Sequence, residues 1–218
     1  LPTYYLPTTN LIRNNEEKFD CLVTEIFDCA LLGEDAIRSI LDAHRRLLKP
    51  NAHVIPKKAR IYCQAGYSDN VGSKMYKDFK TNSPESPYFR VGSPFMSRAK
   101  PNNGSGHEPY EGERLSDLKD FDPGMVTEKI KMTEVDFRSE QNLESFVENP
   151  DLWKVAFNDL KFKVNILILT FELDIDDQIT INNYNGNPGC WEQTAYALWR
   201  TFDKGESIHA EFLIECNG

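Results

Sequence analysis

Residues 19–37 read FDCLVTEIFDCALLGEDAI, which combines a strand, a loop and the start of a helix. Residues 20–25 are apolar enough for a buried parallel strand. From Asp35 to Lys49 the apolar positions follow helical spacing, and Asp35 is predicted to be the N-cap. A short strand over residues 52–55 comes next. This order predicts a fragment of a doubly wound α/β sheet.

Two glutamates bracket the loop of this unit. Glu25 ends the first strand and Glu34 stands just before the helix, where open α/β sheets build their ligand sites. Two carboxylates brought together there would form an anionic clamp, and a guanidinium fits such a clamp best because its donors pair bidentately in one plane. Singly, Glu25 is also explained as a solvated acid and Glu34 as a helix-start acid that the macrodipole favours. The pair in this context points to a site.

Beyond Pro56 the sequence changes to an almost wholly β pattern. We predict strands over residues 59–65, 129–137, 153–157, 161–175, 190–199 and 208–214. The last of these alternates apolar and polar residues, as a half-buried strand should. Several long strands with turn-rich connections predict a barrel or a sandwich. Residues 67–113 are rich in Ser, Pro, Asn and Gly, which predicts a functional or disordered insertion.

The bulk composition limits the class of function. The chain has 218 residues, a net charge of -9 and 40% hydrophobic residues, so it can bury a real core. Its acidity argues against direct nucleic-acid binding and suits a cationic partner, although many proteins are acidic without one. The longest apolar run, residues 164–171, is far too short to cross a bilayer, so no membrane partner is expected.

The cysteines and histidines give further expectations. The 5 cysteines include no CxxC pair, which predicts free thiols in a reducing compartment, the cytoplasm or the nucleus. None of the 4 histidines pairs with a cysteine at zinc spacing, so no metal site is predicted. The chain begins with Leu1 rather than Met, which indicates that upstream sequence has been removed.

The loop motif resembles a known family. Residues 23–28 (VTEIFD) and 33–35 (GED) resemble the double-glutamate loop of the protein arginine N-methyltransferases, and the resemblance continues along nearly the whole chain. It implies that Glu25 and Glu34 hold a substrate arginine while a methyl group passes from S-adenosyl-L-methionine to a guanidino nitrogen. Residues 188–193 (PGCWEQ) are most similar to a two-module, type II (symmetric dimethylating) branch.

The resemblance implies three more substrate-side residues, each with an alternative. Phe27 would restrict the space around the second nitrogen, or it is a loop residue tucked into the core. Cys190 stands where the family generally has His, which removes a proton relay through imidazole, and a thiol near carboxylates is a poor base. Trp191 is an aromatic wall for the arginine stem, a prop for the glutamate loop, or a core tryptophan.

The resemblance also implies a domain organisation, an α/β part followed by an all-β part. Residues 1–55 correspond to the C-terminal end of a Rossmann-like methyltransferase domain and residues 56–218 to a β-barrel substrate-binding domain. Residues 67–113 would be an inserted dimerisation arm, which contacts a second methyltransferase module or a homodimer partner, or a partly disordered segment. The only GxG, at Gly104–Gly106, lies in a polar loop. The cofactor-binding residues are therefore expected upstream of residue 1, and the chain by itself is expected to be inactive.

Three interpretations of function follow. The first is part of an enzyme that methylates arginine-rich proteins. The second is a non-catalytic barrel scaffold or a degenerate methyltransferase module for protein interaction. The presence of both Glu25 and Glu34 favours the enzyme, because an inactive module has no need for a double acid. The third is an unrelated acidic domain that binds basic tails.

Overall fold

The computed structural model describes residues 18–32, 34–71, 111–113, 115–148, 152–184 and 191–213. The elements in chain order are β1 (Phe19–Val23), α1 (Ala36–Arg46), β2 (Leu48–Ile55), β3 (Lys58–Gly66), β4 (Glu111–Glu113), a 3-10 turn (Leu115–Asp117), β5 (Ile130–Asp136), α2 (Glu140–Glu148), β6 (Leu152–Phe157), β7 (Val164–Asp174), β8 (Thr180–Asn182), β9 (Gln193–Phe202) and β10 (Ile208–Leu213). No helix in these ranges is long and apolar enough to cross a membrane.

The first part of the chain is the predicted strand, loop, helix and strand. β1 and β2 are parallel, with Leu22 opposite Val54, and α1 crosses between them. The helix buries Ala36, Ile37, Ile40, Leu41 and Ala43. This spacing of three and four residues places one apolar stripe against the rest of the protein, so the helical periodicity is confirmed.

The burial of β1, several boundaries of this unit and one cap were predicted wrongly. β1 covers Phe19–Val23 rather than residues 20–25, and it is exposed except for the half-buried Leu22. The helix ends at Arg46 rather than Lys49, and β2 begins at Leu48 rather than at residue 52. Leu48 is buried and pairs with Phe19 across the parallel ladder, so tertiary pairing draws the chain out of the helix. Asp35 is at the N-cap position, but its backbone is left-handed (φ 58°) and its side chain makes no capping hydrogen bond.

The second part of the chain is built around β7. A six-stranded sheet has the order β4-β9-β7-β3-β5, with β8 also paired to β7, and β6 pairs separately with β10. The strands predicted after Pro56 are all present, with ends that shift by at most three residues, whereas β4 and β8 were not predicted. The alternation predicted for β10 is confirmed, because Ile208 and Phe212 are buried while His209 and Glu211 are exposed. Closure into a barrel stays a prediction, and most of the predicted arm (residues 67–113) lies outside the described ranges.

The strand β7 separates two apolar clusters. Leu167, Leu169 and Phe171 belong to the large cluster that also includes the buried residues of α1. Ile166 and Ile168 belong to a smaller cluster on the opposite face. Because both faces are covered, the strand reads as an unbroken apolar run instead of an alternating one.

The helix α2 was missed by the sequence analysis, which predicted an almost wholly β pattern after Pro56. α2 is short, and its only buried side chains are Leu143 and Phe146, so its periodic signal is weak. Its start is marked by Ser139, whose hydroxyl accepts the backbone N–H of Asn142 at 3.1 Å, as an N-cap does. α2 lies against α1, where Arg45 pairs with Glu140 at 3.3 Å.

A polar network lies at the C-terminal end of β7, away from the small apolar cluster around Ile166 and Ile168. The Arg60 guanidinium donates two hydrogen bonds of 2.7 Å to Asp174 and one of 2.7 Å to Glu172. Glu172 also accepts hydrogen bonds from the hydroxyl groups of Tyr62 and Tyr184. The hydrogen bond from Arg60 lowers the pKa of Asp174. Burial opposes the charged form of Glu172, but the donated hydrogen bonds outweigh it and lower its pKa as well.

The first prediction concerns this network. Arg60→Met should lower the free energy of unfolding at pH 7 by more than the ~1 kcal/mol of an exposed pair and less than the roughly 3–5 kcal/mol of a fully buried one. Both carboxyl pKa values are lowered in the fold. The stabilisation is therefore complete above the ordinary values of 3.8 and 4.5 and is lost as the pH falls through the lowered ones. Urea unfolding of both proteins at several pH values measures this difference, and a difference independent of pH would contradict the assignment.

Candidate functional site

The loop between β1 and α1, residues 24–35, is called the glutamate loop below; all of it except Gly33 is described. It lies at the carboxyl end of β1, and the N–H of Thr24 donates to Ile55 O of β2 at 3.0 Å. Glu25 and Glu34 are both exposed. Within the described part of the chain neither carboxylate has a hydrogen-bond or ion-pair partner. Both predicted catalytic residues are therefore on one surface loop with their charges available.

A local turn shapes the middle of the loop. The Asp28 carboxylate accepts the N–H of Ala30 at 3.1 Å, and the N–H of Leu31 donates to Asp28 O at 3.0 Å. This is the pattern by which an Asp side chain stabilises a turn. Leu31 is fully buried with a positive φ of 76°. Asp28 thus has a structural task in the loop backbone.

Phe27 lies in the core. Its side chain is only 3% exposed, and its ring is 5.4 Å from the ring of Phe137. This burial favours the core alternative for Phe27 over a ring that lines a substrate site. The residue anchors the glutamate loop between Glu25 and Glu34.

Trp191, which is distant from the glutamate loop in sequence, contacts that loop directly. Its indole N–H donates to the backbone oxygen of Phe27 at 2.7 Å, across 164 residues of sequence. The ring packs edge-on against Phe171 of β7, with centroids 5.5 Å apart. This geometry corresponds to the prop among the three alternatives for Trp191. Cys190 lies outside the described residues.

One residue of the site was missed by the sequence analysis. Asn183 is 1% exposed, and its side-chain amide donates to Cys29 O of the glutamate loop at 3.2 Å. It stands in the stretch NNYNGN (residues 182–187), where asparagine is typical of turns. Composition gave no signal that one of these asparagines is buried.

The described residues show no other candidate centre near this loop. They include no group of three or more His, Cys, Asp or Glu placed to hold a metal ion. Cys21, Cys29 and Cys63 form no disulfide among the described residues, and Cys216, like Cys190, is not described. A cavity of about 260 Å³ lies on the Ile168 side of the sheet, and no residue of the glutamate loop lines it.

Sequence comparison relates the chain to arginine methyltransferases. No protein-family model matches it. It is 26% identical over 211 residues to human protein arginine N-methyltransferase 9, covering 84% of this chain and 23% of the relative. It is 26% identical over 157 residues to protein arginine N-methyltransferase 7 of Caenorhabditis briggsae, covering 72% of this chain and 22% of the relative. The chain thus spans less than a quarter of the length of these relatives.

The fold is similar to that of a solved arginine methyltransferase. The chain matches a structure described as the Trypanosoma brucei PRMT1 enzyme-prozyme heterotetrameric complex with AdoHcy, with a TM-score of 0.56 and 15% identity. The match covers 90% of this chain and 60% of that one. The molecule therefore has the sheet-rich fold of a methyltransferase of this class. The resemblance inferred from the glutamate-loop motif is confirmed: most of the chain is similar to protein arginine N-methyltransferases.

The second prediction concerns the Trp191 contact. Trp191→Phe keeps an aromatic ring but removes the N–H that Phe27 O accepts, so the glutamate loop should open more easily. A hydrogen bond contributes about 1 kcal/mol, so amide exchange in residues 24–32 should become about fivefold faster. The matched control is Trp153→Phe, because the buried Trp153 N–H has no partner among the described residues. Equal exchange in the two variants would contradict a role for Trp191 in holding the loop.

Proposed function

We propose that the glutamate loop binds the guanidinium of a protein arginine and that the chain supplies the acceptor side of a protein-arginine N-methyltransferase. The observation that carries the proposal is the pair Glu25 and Glu34, two exposed carboxylates without described partners on one loop of a parallel β-α-β unit. The names of the relatives support the same chemistry.

The two carboxylates would bind and orient the acceptor. A guanidinium offers five donors in a plane, so two carboxylates can fix both its position and its rotation. Orientation of this kind contributes a large part of a rate enhancement, because the acceptor loses its rotational and translational freedom when it binds and not in the chemical step. The two carboxylates also favour positive charge on the guanidinium nitrogens that they contact. The remaining nitrogen, which faces the methyl donor, then keeps more electron density. That nitrogen loses its proton readily only after methylation has begun, so no strong base is needed.

The methyl donor implied by the family is S-adenosyl-L-methionine, which would supply an electrophilic methyl group. The chain does not fit this donor by itself, because its only GxG lies at residues 104–106 and follows no predicted strand. These residues therefore account only for the acceptor side of the reaction. The boundary between the methyltransferase domain and the substrate-binding domain is proposed at residues 55/56, where the parallel β2 ends and the antiparallel β3 begins.

The finer properties are proposals of the same kind. The similarity of residues 188–193 to the two-module branch supports type II activity, which yields symmetric dimethylarginine. Mass spectrometry of the product would separate this from the asymmetric isomer. The net charge of -9 suits arginine-rich substrates. A second methyltransferase module or a homodimer partner is proposed to contact residues 67–113, and the cytoplasm or the nucleus is the proposed location.

The alternative is a non-catalytic scaffold or degenerate module. Such a module would bind proteins without needing a cofactor. A scaffold would bind an arginine-rich peptide without transferring a methyl group, whereas the enzyme does both.

The third prediction tests the clamp in the full-length protein. Glu25→Gln and Glu34→Gln should each lower kcat/KM on an arginine-rich peptide by at least about 100-fold, because each removes one charged partner of the guanidinium. Glu128→Gln, which removes the charge of an exposed glutamate on the segment before β5, is the matched control and should retain activity. Peptide binding that survives Glu34→Gln, without any methyl transfer, would favour an acidic binding domain instead.

The fourth prediction concerns the chain of residues 1–218 alone. Isothermal titration calorimetry with S-adenosyl-L-methionine should detect no binding in the micromolar range, and a methyl-transfer assay should detect no product. Micromolar binding by the isolated chain would show that its own residues form the cofactor site and would overturn the division proposed above.

A further inference from the structure

The ladder of β7 has a gap on one side. β9 pairs with β7 from Val164 to Leu169, and β8 pairs with it from Glu172 to Asp174. Asn183 fills the gap between them. Its side-chain oxygen accepts the N–H of Phe171 at 2.7 Å, and its own N–H donates to Phe171 O at 3.3 Å. Asn183 therefore makes the two hydrogen bonds to Phe171 that a neighbouring strand would otherwise make.

The other end of the same amide faces two other segments. Its Nδ2 donates to Cys29 O in the glutamate loop at 3.2 Å and to Glu192 O at 2.8 Å. An asparagine amide has two donor hydrogens, so both are used. The backbone oxygen of Asn183 accepts Nε2 of Gln193 at 2.7 Å. A buried amide with every group paired holds its neighbours in one arrangement.

Asn183 and Trp191 together fix the backbone between the two glutamates. Trp191 holds Phe27 O, and Asn183 holds Cys29 O, two residues further on. Glu25 and Glu34 are exposed and have no described partners of their own, so the position of their carboxylates depends on how firmly the loop backbone is held. A displacement of about 1 Å is enough to cost roughly 100-fold in rate when a site works by orientation.

We propose that Asn183 is a positioning residue that holds the glutamate loop in the geometry needed to orient a bound guanidinium; this rests on the proposed function. The side-chain oxygen of Asn183 bonds to β7, whereas its side-chain nitrogen bonds to the glutamate loop. The two tasks are therefore separable by a substitution that changes only the nitrogen.

The fifth prediction uses Asn183→Asp in the full-length protein. The variant keeps the size of the side chain and the acceptor for the N–H of Phe171. Its second oxygen carries at most one hydrogen, so at least one of the two donated hydrogen bonds is lost. On an arginine-rich peptide kcat should fall by roughly 10- to 100-fold, while the Kd for S-adenosyl-L-methionine stays within twofold. Asn182→Asp is the matched control, because it adds the same charge one residue away and keeps its acceptor for the N–H of Tyr184. A kcat for Asn183→Asp within twofold of this control would overturn the proposal.

Amide exchange makes the test independent of activity. Faster exchange in residues 24–32 of Asn183→Asp, with β7 unchanged, supports the proposal, and unchanged exchange in that loop overturns it. If the variant does not fold at the assay temperature, Asn183→Ser is measured by the same criteria, because its shorter side chain keeps a hydroxyl near Phe171 but cannot span to Cys29. A wild-type protein that transfers no methyl group would overturn the proposed function, and the exchange result would still decide whether Asn183 holds the loop.

Discussion

The strand β7 has to complete two apolar clusters and three strand pairings at once, and the rest of the molecule is arranged around this requirement. One face joins the large cluster that includes α1, and the other joins the small cluster around Ile166 and Ile168. β3 pairs along one edge, while β9 and β8 share the other. On the second edge, β9 pairs up to Leu169 and β8 from Glu172 onward, which leaves a gap at Phe171. Because a buried N–H without a partner costs free energy, that gap must be filled, and the residue that fills it is also bonded to the glutamate loop.

The charged groups of the described residues divide into satisfied and available ones. Arg60 is paired with Asp174 and Glu172 between strands, and Arg45 is paired with Glu140 between helices. These pairs fasten one element to another. Glu25 and Glu34 make no such contact within the described ranges. Two exposed carboxylates without described partners on one loop are consistent with a loop that binds a cation.

Because this chain is much shorter than its relatives, only part of the proposed reaction can be assigned to it. It corresponds to less than a quarter of the length of each curated relative compared, and its similarity to a solved methyltransferase is a similarity of fold. In the described residues, two carboxylates lie on the glutamate loop, and a separate β part holds that loop in place. Loop position is thereby set by the sheet, through Trp191 and Asn183, rather than by the glutamates themselves.

Local pattern by itself determined much of this protein. The helical spacing of Ile37, Ile40 and Leu41 predicted α1, the alternation from residue 208 predicted β10, and the two glutamates indicated the family. Only the tertiary structure decided that the helix gives way to β2 at Leu48, that α2 exists, and that Phe27 turns into the core. It also decided that Asn183 reaches Cys29 across 154 residues of sequence. The physical reason is range: a local pattern records how a segment buries its own apolar face, whereas a hydrogen bond between distant segments exists only after both have been packed against β7.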